Sequence, residues 1–136
     1  MTTEPPFQLP EGVRLASPPV YGNPKTIREL QVQVSEWSAR NFGGGDIAIP
    51  ALGFFEEAGE LARCIVKMEQ GIRGTREEWL AEAANEIGDN LIKLVDIAAR
   101  LGLDAHDCVW DRWADGPKPI RERDWVANKQ GHGLPS

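Results

Sequence analysis

A chain of 136 residues with 41% hydrophobic content can close one core but has no length for a second, so it reads as a single domain. Its 21 acidic against 15 basic residues leave a formal charge of −6, which argues against nucleic acid or an anionic membrane surface as a partner. No run approaches the roughly 18 apolar residues of a membrane span, MTTEPPFQLP carries no signal-peptide pattern, and Cys64 and Cys108 make no disulfide framework; the expected setting is the reducing cytoplasm.

Six of the ten prolines fall within the first 24 residues, a density that blocks helix interiors and central strands and predicts an extended arm over 1–23. Asn23-Pro24 has the form of an N-cap followed by proline in the first turn. Ile27, Leu30, Val34, Trp37 and Asn41 then follow at steps of three and four, predicting a first helix from about residue 24 to about 41, ended by the loop Gly43-Gly44-Gly45. From Pro50, the stripe Phe54, Ala58, Leu61, Ile65, Met68 and Ile72 predicts a second helix that closes at Gly71 or Gly74. Thr75 and Glu78 have capping-box spacing. Leu80, Ala84, Ile87, Leu91, Leu94, Ala98 and Leu101 carry a third, longest helix to Gly102. Asp104 is placed to cap a short fourth helix containing Val109 and Trp113, which Gly116-Pro117 ends. Residues 117–136, polar and without a sustained period, are expected to be an irregular basic and polar tail. With no sustained period of two, the expected fold is all-α, a four-helix-type bundle over 24–116.

The acids of the second and third helices are unusual in their placement. At about 100° per residue, Glu57 falls about 60° from the centre of the second helix's apolar stripe, with Glu60 and Glu56 further round. On the third helix Glu82, Glu86, Asp89 and Lys93 share one narrow strip. A carboxylate at a buried seam needs a partner or gives up its charge, and Lys67 and Lys93 are too few to neutralise the group. Mg²⁺ takes oxygen ligands, and pairs of acids on two facing helices can converge on one ion. A di-iron centre would need Glu-x-x-His pairs, and neither His106 nor His132 follows a Glu at that spacing. The same scarcity of histidine disfavours zinc and histidine-activated nucleophiles.

Glu56-Glu57-Ala58-Gly59-Glu60 followed, after residues 61–85, by Glu86-Ile87-Gly88-Asp89 is an EExxE then ExxD arrangement. It resembles the MazG-like, all-α nucleoside triphosphate pyrophosphohydrolases over roughly residues 27–103, and Trp37-Ser38-Ala39-Arg40-Asn41-Phe42 is similar to a segment upstream of the first motif in some relatives. The resemblance implies a bundle that forms dimers or tetramers and hydrolyses a (deoxy)nucleoside triphosphate to the monophosphate and pyrophosphate with Mg²⁺, Mn²⁺ being a substitute. It implies Glu57, Glu60, Glu86 and Asp89 as metal ligands, and Glu56 as the residue that binds a second ion or deprotonates the attacking water. Lys93 either contacts phosphate or pairs with Asp89 on its own helix. Trp37 either stacks on the base or packs in the core, while Asn41 and Asn90 offer amides to a base edge. Arg112, Arg121 and Arg123, with Lys118, either fold over the phosphates as a lid or remain solvated. A reading from another class is a non-catalytic bundle whose exposed strips bind a partner protein. The two long apolar seams exceed what this chain can cover alone, which predicts a homodimer or homotetramer.

Overall fold

The computed structural model describes residues 21–44, 46–124 and 126. Most of the proline-rich arm, the middle of the glycine loop at residue 45 and most of the tail lie outside the described residues. The fold is all-α, and among the described residues there is no strand.

Helix α1 spans Ile27–Phe42. It starts later than Asn23-Pro24 suggests because Thr26, with extended backbone, is the cap: its hydroxyl accepts from the Glu29 amide at 3.1 Å. The Glu29 carboxylate in turn accepts from the Lys25 amide at 2.6 Å. Gly43, at φ 70°, ends the helix and returns its N–H to the Ala39 carbonyl. Helix α2 spans Ala48–Gln70, and Pro50 sits in its first turn, where no intrahelical donor is required. Its end is a left-handed Gly71, with the Gly71 and Ile72 amides returning to Met68 and Lys67.

Helix α3, Arg76–Arg100, opens with the capping box expected from Thr75 and Glu78, both arms of which are formed. Gly102, at φ 71°, turns the chain after α3, and the Leu103 amide closes on the Ala98 carbonyl at 2.9 Å. Helix α4, Ala105–Trp110, is capped by Asp104 on the Asp107 amide and continues as a π-helical turn over Asp111–Asp115. A short 3-10 turn, Ile120–Glu122, packs on that turn.

Helix α3 is the spine. It packs along α2 on one side and α1 on the other, and residues of all three helices line a cleft over α3. Val34, Val95, Ala98 and Ala105, with Leu30 against them, form the core where α1, α3 and α4 meet. Polar contacts pin α4 on α1. Arg28 binds Asp104 at 2.8 Å and also Asp107, and the Gln31 amide group bridges the Leu103 carbonyl and the Ala105 N–H.

The buried faces of α2 and α3 coincide only in part with the predicted stripes. On α2 the fully buried residue is Cys64; Phe54, Ala58, Leu61 and Met68 of the predicted stripe are half-buried, as are Glu57 and Glu60, whereas Ile65 and Ile72 are exposed. On α3 the stripe residues Leu80, Ile87, Leu91, Leu94 and Leu101 are 44–57% exposed while Ala98 of the same stripe is in the core, and the other buried positions are Ala83, Val95 and Asp96. The reason is geometric: α1 and α2 flank α3, leaving that apolar row between the two contact faces and turning the acidic strip toward the cleft.

Candidate metal centre and cleft

Glu57 comes from the middle of α2, Glu86 and Asp89 from successive turns of α3. The i, i+3 spacing puts the last two on one side of their helix, and the packing of α2 on α3 brings Glu57 opposite. One ligand oxygen from each of the three lies within 4.8 Å of the others. Glu57 and Glu86 are half-buried and Asp89 is exposed. Oε2 of Glu86 is buried and, among the described residues, has no hydrogen-bond partner.

That environment raises the Glu86 carboxyl above the usual glutamate range. Burial is the largest cause, followed by the negative charge of Glu57 and a hydrogen bond to its carboxylate that favours the protonated form, then the charges of Asp89 and Glu60. Lys93, on the same strip of α3, is the cation of this end of the cleft. Its Nζ would stand 3.3 Å from a Cβ at position 53, so Gly53 leaves the space it occupies. A half-buried cluster of three carboxylates, one oxygen of which lacks any donor, is a set of oxygen donors suited to a hard divalent cation.

The other sequence-derived candidates are distributed as follows. Glu60 stands outside the three-carboxylate cluster, its Oε2 accepting from Arg63 Nε at 2.8 Å, while the Arg63 guanidinium lies 5.6 Å from the centre of the Trp79 ring. Glu56 is exposed. Trp37 lines the cleft with an exposed face and meets Phe42 edge-on at 5.4 Å. The side-chain amides of Asn41 and Asn90 both turn back on their own helices, donating to the carbonyls of Trp37 and Glu86. Arg112 donates to the Lys118 carbonyl, and it, Arg121 and Arg123 follow α4 in the chain and do not line the cleft.

The cleft has a volume of about 680 Å³. Glu57, Asp89 and Lys93 lie toward one end, Asp96 and Arg100 further along α3, and Leu30, Val34, Ile49, Pro50 and Ile92 supply apolar walls. A second polar group, outside the EExxE and ExxD motifs, joins α1 to α3. Ser38 Oγ donates to Asp96 Oδ2 at 2.9 Å, and Arg100 donates from Nε to the Asp96 carboxylate at 3.2 Å and from Nη2 to Ser38 Oγ at 2.6 Å. The available signal is an acid four residues before an arginine in the otherwise apolar LVDIAARL, near the C-terminal end of a helix, where the macrodipole disfavours a lone carboxylate.

Scans of the chain against protein-family models, curated proteins and solved structures find no match.

Proposed function

We propose that the protein is a Mg²⁺-dependent nucleotide pyrophosphohydrolase that cleaves a (deoxy)nucleoside triphosphate to the monophosphate and pyrophosphate, as its resemblance to the MazG-like enzymes implies. The observation that carries the reading is the unpartnered, buried Oε2 of Glu86 inside a cluster that also holds Glu57 and Asp89. Buried oxygens are rarely left without a donor or a cation. Three carboxylates beside one lysine still carry excess negative charge, which a dication offsets.

Glu57, Glu86 and Asp89 would hold the ion, and Glu60, one turn from Glu57 and paired with Arg63, would be a fourth ligand only if released from that arginine. When bound, the ion offsets charge on the triphosphate and makes water a better nucleophile. The chain's own residues supply the rest. Lys93 binds a phosphate oxygen, Trp37 offers a flat wall to the base, and the exposed Glu56, adjacent to Glu57, takes the proton of the water that adds as the α–β phosphoanhydride bond breaks. Asn41 and Asn90 each give one Nδ2–H to a helix carbonyl and do not line the cleft, and Arg112, Arg121 and Arg123 are left outside the proposed site.

The uncovered apolar row of Ile87, Leu91 and Leu94 supports assembly, which we propose is a homodimer or homotetramer. The same row favours one other reading, a non-catalytic bundle that binds a different protein. Pyrophosphate release across a panel of triphosphates with Mg²⁺ tests the enzyme directly. Glu57→Gln and Asp89→Asn should abolish turnover while far-ultraviolet circular dichroism keeps its helical form; turnover retained in both variants refutes the assignment.

A further inference from the structure

We propose that Tyr21, which precedes the first helix and stands outside the acidic motifs, packs its ring against the nucleobase as a wall of the cleft; this rests on the nucleotide reading of the site. Leu30, Gln33, Val34 and Trp37 recur at steps of three and four, so one face of α1 lines the cleft. Gln33 on that face donates from Nε2 to the Gly22 carbonyl at 2.9 Å, which lays the chain ahead of α1 back along the cleft wall. Tyr21 is the residue next to this tether, and it too lines the cleft.

Burial identifies the ring as the part that does so. Gly22, Asn23 and Pro24 are exposed, whereas Tyr21 beside them is half-buried. Most of a tyrosine's surface belongs to its side chain, so the residue reaches that state only with its ring against the protein. The Tyr21 hydroxyl makes no hydrogen bond among the described residues. Apolar contact and the backbone tether one residue on are therefore what hold the ring.

Tyr21 is a wall of the cleft and not its plug, because the cleft keeps a volume of about 680 Å³ with the residue in place, a size suited to a small-molecule ligand. The polar groups limit where each part of a nucleotide lies. Glu57, Asp89 and Lys93 serve the metal and the phosphates, Asp96 is paired with Arg100, and Asp46 accepts from the Ala48 amide. What remains of the lining is mainly apolar and aromatic. Such a lining suits the flat, uncharged part of the substrate, and a base gains from an aromatic face whichever edge it presents.

Isothermal titration calorimetry on the full chain with Mg²⁺ tests this, using the α,β-methylene analogues of ATP, GTP, CTP and UTP, and inorganic pyrophosphate as the ligand without a base. Tyr21→Ala should weaken each analogue that the wild type binds by about five- to tenfold and leave pyrophosphate within about twofold. Tyr21→Phe, which keeps the ring, should bind like the wild type. Gln33→Ala, which cuts the tether, should show part of the Tyr21→Ala loss, and the double variant should bind no more weakly than Tyr21→Ala. If Tyr21→Ala loses its helical circular dichroism, Tyr21→Leu, apolar without an aromatic face, takes its place with the same expectation. Unchanged or tighter analogue binding in Tyr21→Ala, an equal loss for pyrophosphate, an equal loss in Tyr21→Phe, or Gln33 and Tyr21 losses that simply add overturns the proposal. In each of those cases a wild type that binds the analogues keeps the nucleotide reading, whereas a wild type that binds none overturns both. An analogue-selective loss in a protein that hydrolyses no triphosphate leaves Tyr21 in its role and refutes the pyrophosphohydrolase reading.

Discussion

Glu86→Gln should change stability in opposite directions with and without Mg²⁺. The substitution preserves the shape of the side chain, removes one charge from a cluster whose ligand oxygens lie within 4.8 Å, and puts an amide donor beside Glu57. The metal-free variant should therefore melt above the metal-free wild type. Adding Mg²⁺ should reverse the order, because the ion binds only the folded wild type. At ten times the dissociation constant that linkage is worth about 1.4 kcal/mol, or about 5 °C in melting midpoint for a domain of this size. Differential scanning fluorimetry in chelator and in Mg²⁺ measures both arms. A midpoint that Mg²⁺ leaves unmoved in the wild type, or raises equally in Glu86→Gln, refutes the argument that these carboxylates form a cation site.

The pH dependence of the metal-free chain has a definite sign. Glu86 binds its proton more tightly folded than unfolded, so its contribution is complete below the ordinary glutamate value and is lost as pH rises through its raised folded value. Asp104, held low mainly by its hydrogen bond from Arg28, contributes in the opposite sense: its stabilisation is present above the ordinary aspartate value and disappears as pH falls through the folded one. Melting midpoints from acid to neutral pH should show both limbs, with Mg²⁺ flattening the upper limb and Asp104→Asn the lower. Gly53→Ala should leave folding unchanged or improve it by up to about 1 kcal/mol, yet raise the KM for a triphosphate, because the new methyl crowds Lys93 Nζ. Leu91→Glu, on the uncovered row of α3, should shift the protein to a smaller species in multi-angle light scattering. Thr75→Ala removes one arm of the α3 capping box and should lower unfolding free energy by about 1 kcal/mol, read from the denaturant midpoint.

Local chemistry made the elements legible. Thr75, Asp104, Gly71 and Gly102 act within a turn of themselves, and each does in space what its neighbours in sequence imply. Orientation was less legible, since an apolar stripe marks a face that prefers to leave water without saying what covers it. Ile87, Leu91 and Leu94 have the pattern of a core seam and are half exposed among the described residues, while Glu57 and Glu86 half-bury themselves between α2 and α3. Glu57 stood out because its position conflicts with its charge. Ser38 gave no such signal; its meaning comes from Asp96 and Arg100, about sixty residues away, and only packing brings the three together.

Cys64 has no exposed surface, and burial in the α2–α3 seam raises its thiol above the ordinary cysteine value, whereas Cys108 is exposed. A thiol-specific reagent should accordingly modify the chain in two phases. The first records the intrinsic reactivity of an open site, and the second advances only as often as α2 lifts from its neighbour. The ratio of the two rates is an internal gauge of how frequently the helices part, obtained from the native chain with no label introduced.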